Sequence, residues 1–113
     1  MNHDTLLPFQ RLDIYTASKQ LARLVHEARI RDAELRDQAT RASKSTFLGL
    51  CEGLPSDAAG IRRRHFDIAN NSLHEVVGAV DLAETIGPLD ANAASTILAL
   101  ATRIKRMIRA LPR

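Results

Sequence analysis

The sequence predicts an all-α fold, an up-down antiparallel bundle of four helices, on three observations. The residue palette is rich in Ala, Leu and Arg, which favour helix, and no stretch alternates apolar and polar with period two as a half-buried strand does. Two Gly-Pro breaks, Gly53-Leu54-Pro55 and Gly87-Pro88, cut the chain into helix-sized pieces. Between the breaks, apolar residues return every three or four positions, the period of a helix with one buried face.

The first helix is expected near 11–29, with Ile14, Ala17, Leu21, Leu24, Val25 and Ala28 on one face. No Gly or Pro follows it. Asp32 is the N-cap that separates it from a second helix near 33–52, with Glu34 set favourably in the first turn. That helix reads Leu35, Ala39, Ala42, Ser45/Thr46 and Gly49 along its inner side, a row of small residues that lets a neighbour approach closely. Gly53 suits the left-handed residue that closes it, Pro55 blocks continuation, and Ser56 or Asp57 offers the next cap.

A third helix, near 57–86, carries two apolar stripes: Phe66, Ala69, Leu73, Val76, Val80 and Ala83, then Ile61, Ile68, Ser72, Ala79, Leu82 and Ile86. Its polar stripe is narrow. At ~1.5 Å per residue it is about 45 Å long, more than helices of ~20 residues can cover. The uncovered apolar surface predicts association with other subunits. Gly87, Pro88 and the cap Asp90 then start a fourth helix near 91–110. The short links force neighbouring helices antiparallel, and the 113 residues are read as one domain, 1–113.

Charge is not spread evenly. The net is +3, yet residues 90–113 hold five Lys/Arg and one acid, while residues 1–89 hold 11 Lys/Arg and 12 Asp/Glu. On a helical wheel, Ile97, Leu100, Ala101, Ile104, Met107, Ile108 and Leu111 cluster on one side of the fourth helix, and Arg103, Lys105, Arg106, Arg109 and Arg113 on the other. Such a row can follow a phosphate backbone. It can equally complement the dipole at a helix C-terminus and keep the surface soluble. The run Arg62-Arg63-Arg64-His65 points in several directions around its helix and makes no single patch.

Enzyme chemistry finds no residue to stand on. No His has a Glu three positions before it, as a di-iron bundle requires, and the single Cys51 excludes a cysteine-based zinc site. Cys51 also lies near a helix C-terminus, where the dipole disfavours a thiolate. No metal, cofactor or catalytic residue is therefore expected. No run approaches the ~20 apolar residues of a membrane span and no leader pattern opens the chain, so the expectation is a cytoplasmic protein with no membrane partner.

The order of residues resembles the four-helix proteins encoded in 23S rRNA intervening sequences, also called S23 ribosomal protein-like. The resemblance rests on Phe9, Leu12, Ile14, Tyr15 and Ala17; on Gln38, Arg41, Ala42, Ser45 and Glu52-Gly53; and on Phe66, Ile68, Ala69, Ser72, Leu73 and Glu75. Gly49-Leu50-Cys51 stands where the family usually has Asn-Ile-Ala, and the first link is shorter than typical. The resemblance implies a homo-oligomer, commonly a pentameric ring with a central channel. It extends to the accessory variability protein of diversity-generating retroelements, a basic barrel that binds nucleic acid and a reverse transcriptase. RNA or DNA and a reverse transcriptase are the partners so implied, and a structural or protein-interaction module without nucleic acid is the alternative. The polar motif Gln38, Arg41, Glu52, Ser72 and Glu75 is expected on the most buried helices, with Arg41 paired to Glu52 or Glu75 within the bundle or across a subunit boundary.

Overall fold

The computed structural model describes residues 5–112. Its elements are a 3-10 turn over Pro8–Arg11, then α1 (Asp13–Ala28), α2 (Ala33–Gly53), α3 (Ala59–Ile86) and α4 (Ala91–Ala110). Each helix packs on two neighbours, α1 on α2 and α4, α3 on α2 and α4. This is the antiparallel four-helix bundle that the helix lengths and short links predict. No strand occurs among the described residues.

The helix ends follow local chemistry. The Leu35 N–H donates to Asp32 Oδ1 at 2.9 Å, and the Ala93 N–H to Asp90 Oδ1 at 2.9 Å. Each cap satisfies one of the free donors of a first turn, contributing about 1 kcal/mol. Gly87 closes α3 with φ 114°, a conformation that a side chain resists. Arg29 does the same for α1 at φ 47° although it carries a Cβ.

Three expectations need correction. Residues 8–11 form a separate 3-10 turn, because Leu12 is extended and only from Asp13 does the α-helix run. Neither Ser56 nor Asp57 is the N-cap of α3: Ala58 holds that position without a side-chain bond, and Ser56 Oγ instead accepts from the Ala58 N–H at 3.2 Å. Gly53 is not left-handed either. The helix passes through it to Leu54, which is still right-handed and donates to the Leu50 carbonyl at 2.9 Å. Pro55 then supplies the stop. Gly53 is small for a steric reason: a Cβ there would lie 2.8 Å from Phe66 Cε1 and 3.1 Å from His65 Cβ.

The α2–α3 pairing is the most extensive in the molecule. A Cβ on Gly49 would sit 3.2 Å from the His65 carbonyl oxygen, so the two backbones run close together. Around this seam Leu50, Phe66, Leu73, Val76 and Val80 are fully buried, joined from the other helices by Leu21, Val25, Ile97, Ile104 and Ile108. Four buried hydroxyls stay satisfied: Ser18 donates to the Tyr15 carbonyl, Ser43 to that of Thr40, Thr46 to that of Ala42, and Ser72 shares a 2.8 Å bond with Ser45.

Two arginines tie the ends. Arg31 joins the α1–α2 link to the α3–α4 link, its N–H donating to the Pro88 carbonyl at 3.0 Å and its Nη2 to that of Gly87 at 2.8 Å. At the other end Arg62 Nη1 donates to the Leu54 and Ser56 carbonyls at 2.9 and 3.0 Å, while its Nη2 donates to the Pro112 carbonyl at 3.2 Å. The Arg62 guanidinium also stacks 5.0 Å from the centre of the Phe66 ring. With these ties α3 spans the molecule, whose longest extent is 43 Å.

Replacing Gly53 by Ala should lower stability by about 1–2 kcal/mol, because overpacking against the buried Phe66 ring outweighs the gain in helix propensity. Gly60→Ala, where a Cβ meets nothing within 4 Å, should leave stability equal or slightly raised. Chemical denaturation of the two variants checks this; equal effects would remove the close-approach role of Gly53.

Candidate functional site

Two surfaces carry the residues singled out from sequence. The first is the outer side of α4. Ile97, Ala101, Ile104 and Ile108 face inward and are buried, with Leu100, Met107 and Leu111 half-buried beside them. That spacing turns Arg103, Arg106 and Arg109 outward, and all three are exposed. Residues three apart are neighbours on a helix surface, so the three guanidiniums form one row. None makes an ion pair with a described acid. Lys105 does not belong to the row. It is half-buried and its Nζ donates to Asn70 Oδ1 of α3 at 2.7 Å, a bond that fastens α4 to α3. Arg113 lies outside the described residues.

The second surface is the outer groove between α2 and α3, on the far side of the seam from the core. Gln38, Arg41, Glu52 and Glu75 are all exposed along it, and only Ser72 of the polar motif is buried. The expectation that these residues lie in the most buried part of the bundle is therefore corrected. Their spacing puts them on the outward edges of the two closely packed helices, while Ala42, Gly49 and Ala69 fill the seam. Nor does Arg41 pair with Glu52 or Glu75 within the chain. Glu52 Oε2 instead meets His65 Nδ1 at 3.1 Å across the groove. Arg41 and Glu75 line the same hollow with Gln38, Ala79 and Leu82, and neither makes an ion pair there.

The second apolar stripe of α3 opens onto this groove. Ile61 is 50% exposed, Leu82 48% and Ile86 59%, with Ile68 between them and Leu48 of α2 alongside at 54%. The first stripe is entirely buried, so the wide apolar arc of α3 divides into a core half and an exposed half.

Cys51 is half-buried. Burial, and then the neighbouring negative charge of Glu52, push its thiol above the usual thiol range. The neutral thiol is thus favoured at neutral pH, the reverse of an activated nucleophile. Among the described residues no three His, Cys, Asp or Glu side chains come together as a metal site. No helix is long and apolar enough to cross a membrane.

Sequence reasoning missed the Arg62 clamp, the Lys105–Asn70 bond and the Glu52–His65 contact. Glycine and proline at 53 and 55 mark a turn whose carbonyls need donors, a signal that Arg62 could have been matched to. The other two contacts join side chains far apart in sequence, and only the packing angle of the helices brings them together.

Alkylation of Cys51 should be slow at pH 7–8, with a rate that keeps rising above the pH at which a free thiol levels off. Glu52→Gln should move that profile to lower pH. A profile unmoved by the substitution would contradict the charge effect.

The family model described as 23S rRNA-intervening sequence protein matches residues 10–110. Among curated proteins none matches the sequence. In structure the chain is similar to a protein of unknown function from the S23 ribosomal protein family of Bacteroides thetaiotaomicron VPI-5482. That likeness has a TM-score of 0.74 at 15% identity, covering 84% of this chain and 94% of the other. At such identity it shows a shared fold. With its four helices and a match running over nearly the whole chain, the protein belongs to the 23S rRNA-intervening sequence protein family.

Proposed function

We propose that this chain is a non-enzymatic, homo-oligomeric accessory protein of the cytoplasm that holds nucleic acid by its phosphate backbone. The observation that supports the reading is the row Arg103, Arg106 and Arg109, exposed on one face of α4 and free of acidic partners among the described residues. Guanidiniums already held by carboxylates would have little to offer a phosphate; these are available. Over the three residues the row is about 9 Å long at ~1.5 Å per residue. A single copy then neutralises about three phosphates, a weak contact. Several copies in one particle multiply it through effective concentration. The four aromatic side chains, Phe9, Tyr15, Phe47 and Phe66, belong to the N-terminal turn, α1, α2 and α3. The α4 row thus has no stacking platform of its own, and recognition runs through phosphates rather than bases.

The family's name refers to 23S rRNA, so an rRNA hairpin is the natural first probe, beside an unrelated duplex of equal length. A reverse transcriptase would be a protein partner of such a complex, an expectation that rests on the resemblance to retroelement accessory proteins.

Both probes should bind with similar affinity, and affinity should fall steeply with salt. Replacing Arg103, Arg106 and Arg109 by Gln should weaken binding and flatten the logarithmic salt dependence by about one unit for each guanidinium removed. Lys105→Gln should change the salt slope little, since that ammonium is held by Asn70. Binding that is absent, or unchanged in the triple variant, would return the α4 cations to a role in helix-end electrostatics and solubility and favour a purely structural module.

A further inference from the structure

The α2–α3 outer face holds opposite charges that the single chain leaves unmatched, inside a frame of exposed apolar side chains. The charges are sorted by height. On α2 the acids Glu34 and Asp37 come before the cations Arg41 and Lys44; on α3 the cation Arg64 comes before the acid Glu75. Because the two helices run antiparallel, the cations gather toward the α2–α3 turn and the acids toward the opposite end, with Arg41 and Glu75 at the border. All six are exposed and none makes an ion pair among the described residues. Glu52, the acid at the cation end, is occupied by His65 at 3.1 Å.

Apolar side chains accompany both ends. Leu48, Ile61 and Ile68 lie with the cations, Leu82 and Ile86 with the acids. The middle is low: a Cβ on Gly78 would meet nothing within 4 Å, and Ser72 and Ala79 beside it are small. A surface that is apolar at both ends, positive at one and negative at the other is complementary to a copy of itself turned end for end.

We propose that a second copy of this chain docks on the α2–α3 face, the cation end of one over the acid end of the other, so that Arg41 meets Glu75 across the contact. The proposal rests on the homo-oligomeric part of the reading above and assigns the surface that part uses. It also accounts for charged side chains on a face that is otherwise apolar. They set register and partner, because a copy placed the same way up sets like charge against like.

The test mixes two variants, Arg41→Glu and Glu75→Arg, with mass read by sedimentation and folding by helical circular dichroism. Both positions are exposed, so each variant should keep the native helix content and melting temperature. Alone, each sets like charges together and should associate at least about ten-fold more weakly than the unaltered chain. An equimolar mixture should regain association, since the carboxylate introduced in one chain then faces the guanidinium introduced in the other. A pair that forms within one chain gives no recovery on mixing, and that result overturns the proposal. So does full association of either variant alone, which would leave the homo-oligomer standing on another surface. An unaltered chain that stays single at all concentrations would overturn the proposal together with the homo-oligomeric reading, while leaving the phosphate row on α4 to be judged by its own salt dependence.

Discussion

The close approach of α2 and α3 is the constraint on which the other features of this molecule depend. Gly49 and Gly53 leave no side chain between the helices, so the His65 carbonyl and the Phe66 ring come up against the α2 backbone. Phe66, fully buried, is gripped from one side by this seam and from another by the Arg62 guanidinium. Arg62 in turn holds the carbonyls of the α2–α3 turn and that of Pro112. The end of the bundle is thus closed by one buried ring and one arginine. A larger residue at 53 disturbs both at once.

Packing two helices this tightly decides which side chains can reach the core. The seam admits only small groups, Ala42, Gly49 and Ala69, and the long side chains beside them are turned outward. Gln38, Arg41 and Glu75 therefore stand in solvent although they flank the most tightly packed part of the fold. The same geometry splits the apolar arc of α3. One stripe fills the core against α1, α2 and α4, and the other remains on the outside with Ile61, Ile68, Leu82 and Ile86. Exposed aliphatic side chains in a continuous line are costly in water, at about 25 cal/mol for each Å², and a partner surface removes that cost. The α4 row obeys a different logic. Its guanidiniums are far from the seam, and their spacing comes from the helix repeat alone.

Much of this is legible in the sequence. The apolar period places all four helices within a few residues, and Asp32, Asp90 and Gly87 perform the capping roles that their types predict. The small-residue face of α2 is readable too, as is the outward turn of Arg103, Arg106 and Arg109. Other features are not, each for a physical reason. Gly53 looks like a helix terminator because glycine serves both left-handed turns and close contacts, and only the position of Phe66 separates the two uses. The polar motif reads as internal because it interrupts apolar helices, yet a seam made of small residues leaves no room for it. Lys105 belongs by sequence to the basic row, and its removal to Asn70 depends on how α3 and α4 cross. Arg62 reads as one of a run of cations, since its carbonyl partners lie 50 residues away at Pro112 as well as in the adjacent turn.

The central claim is that the bundle is complete inside and unfinished on its α2–α3 face. Sedimentation equilibrium of the unaltered chain over a wide concentration range tests it most directly. A mass that is a multiple of the 12.5 kDa chain, falling toward the single-chain value only on strong dilution, is the predicted result. A mass of one chain at every concentration would contradict it.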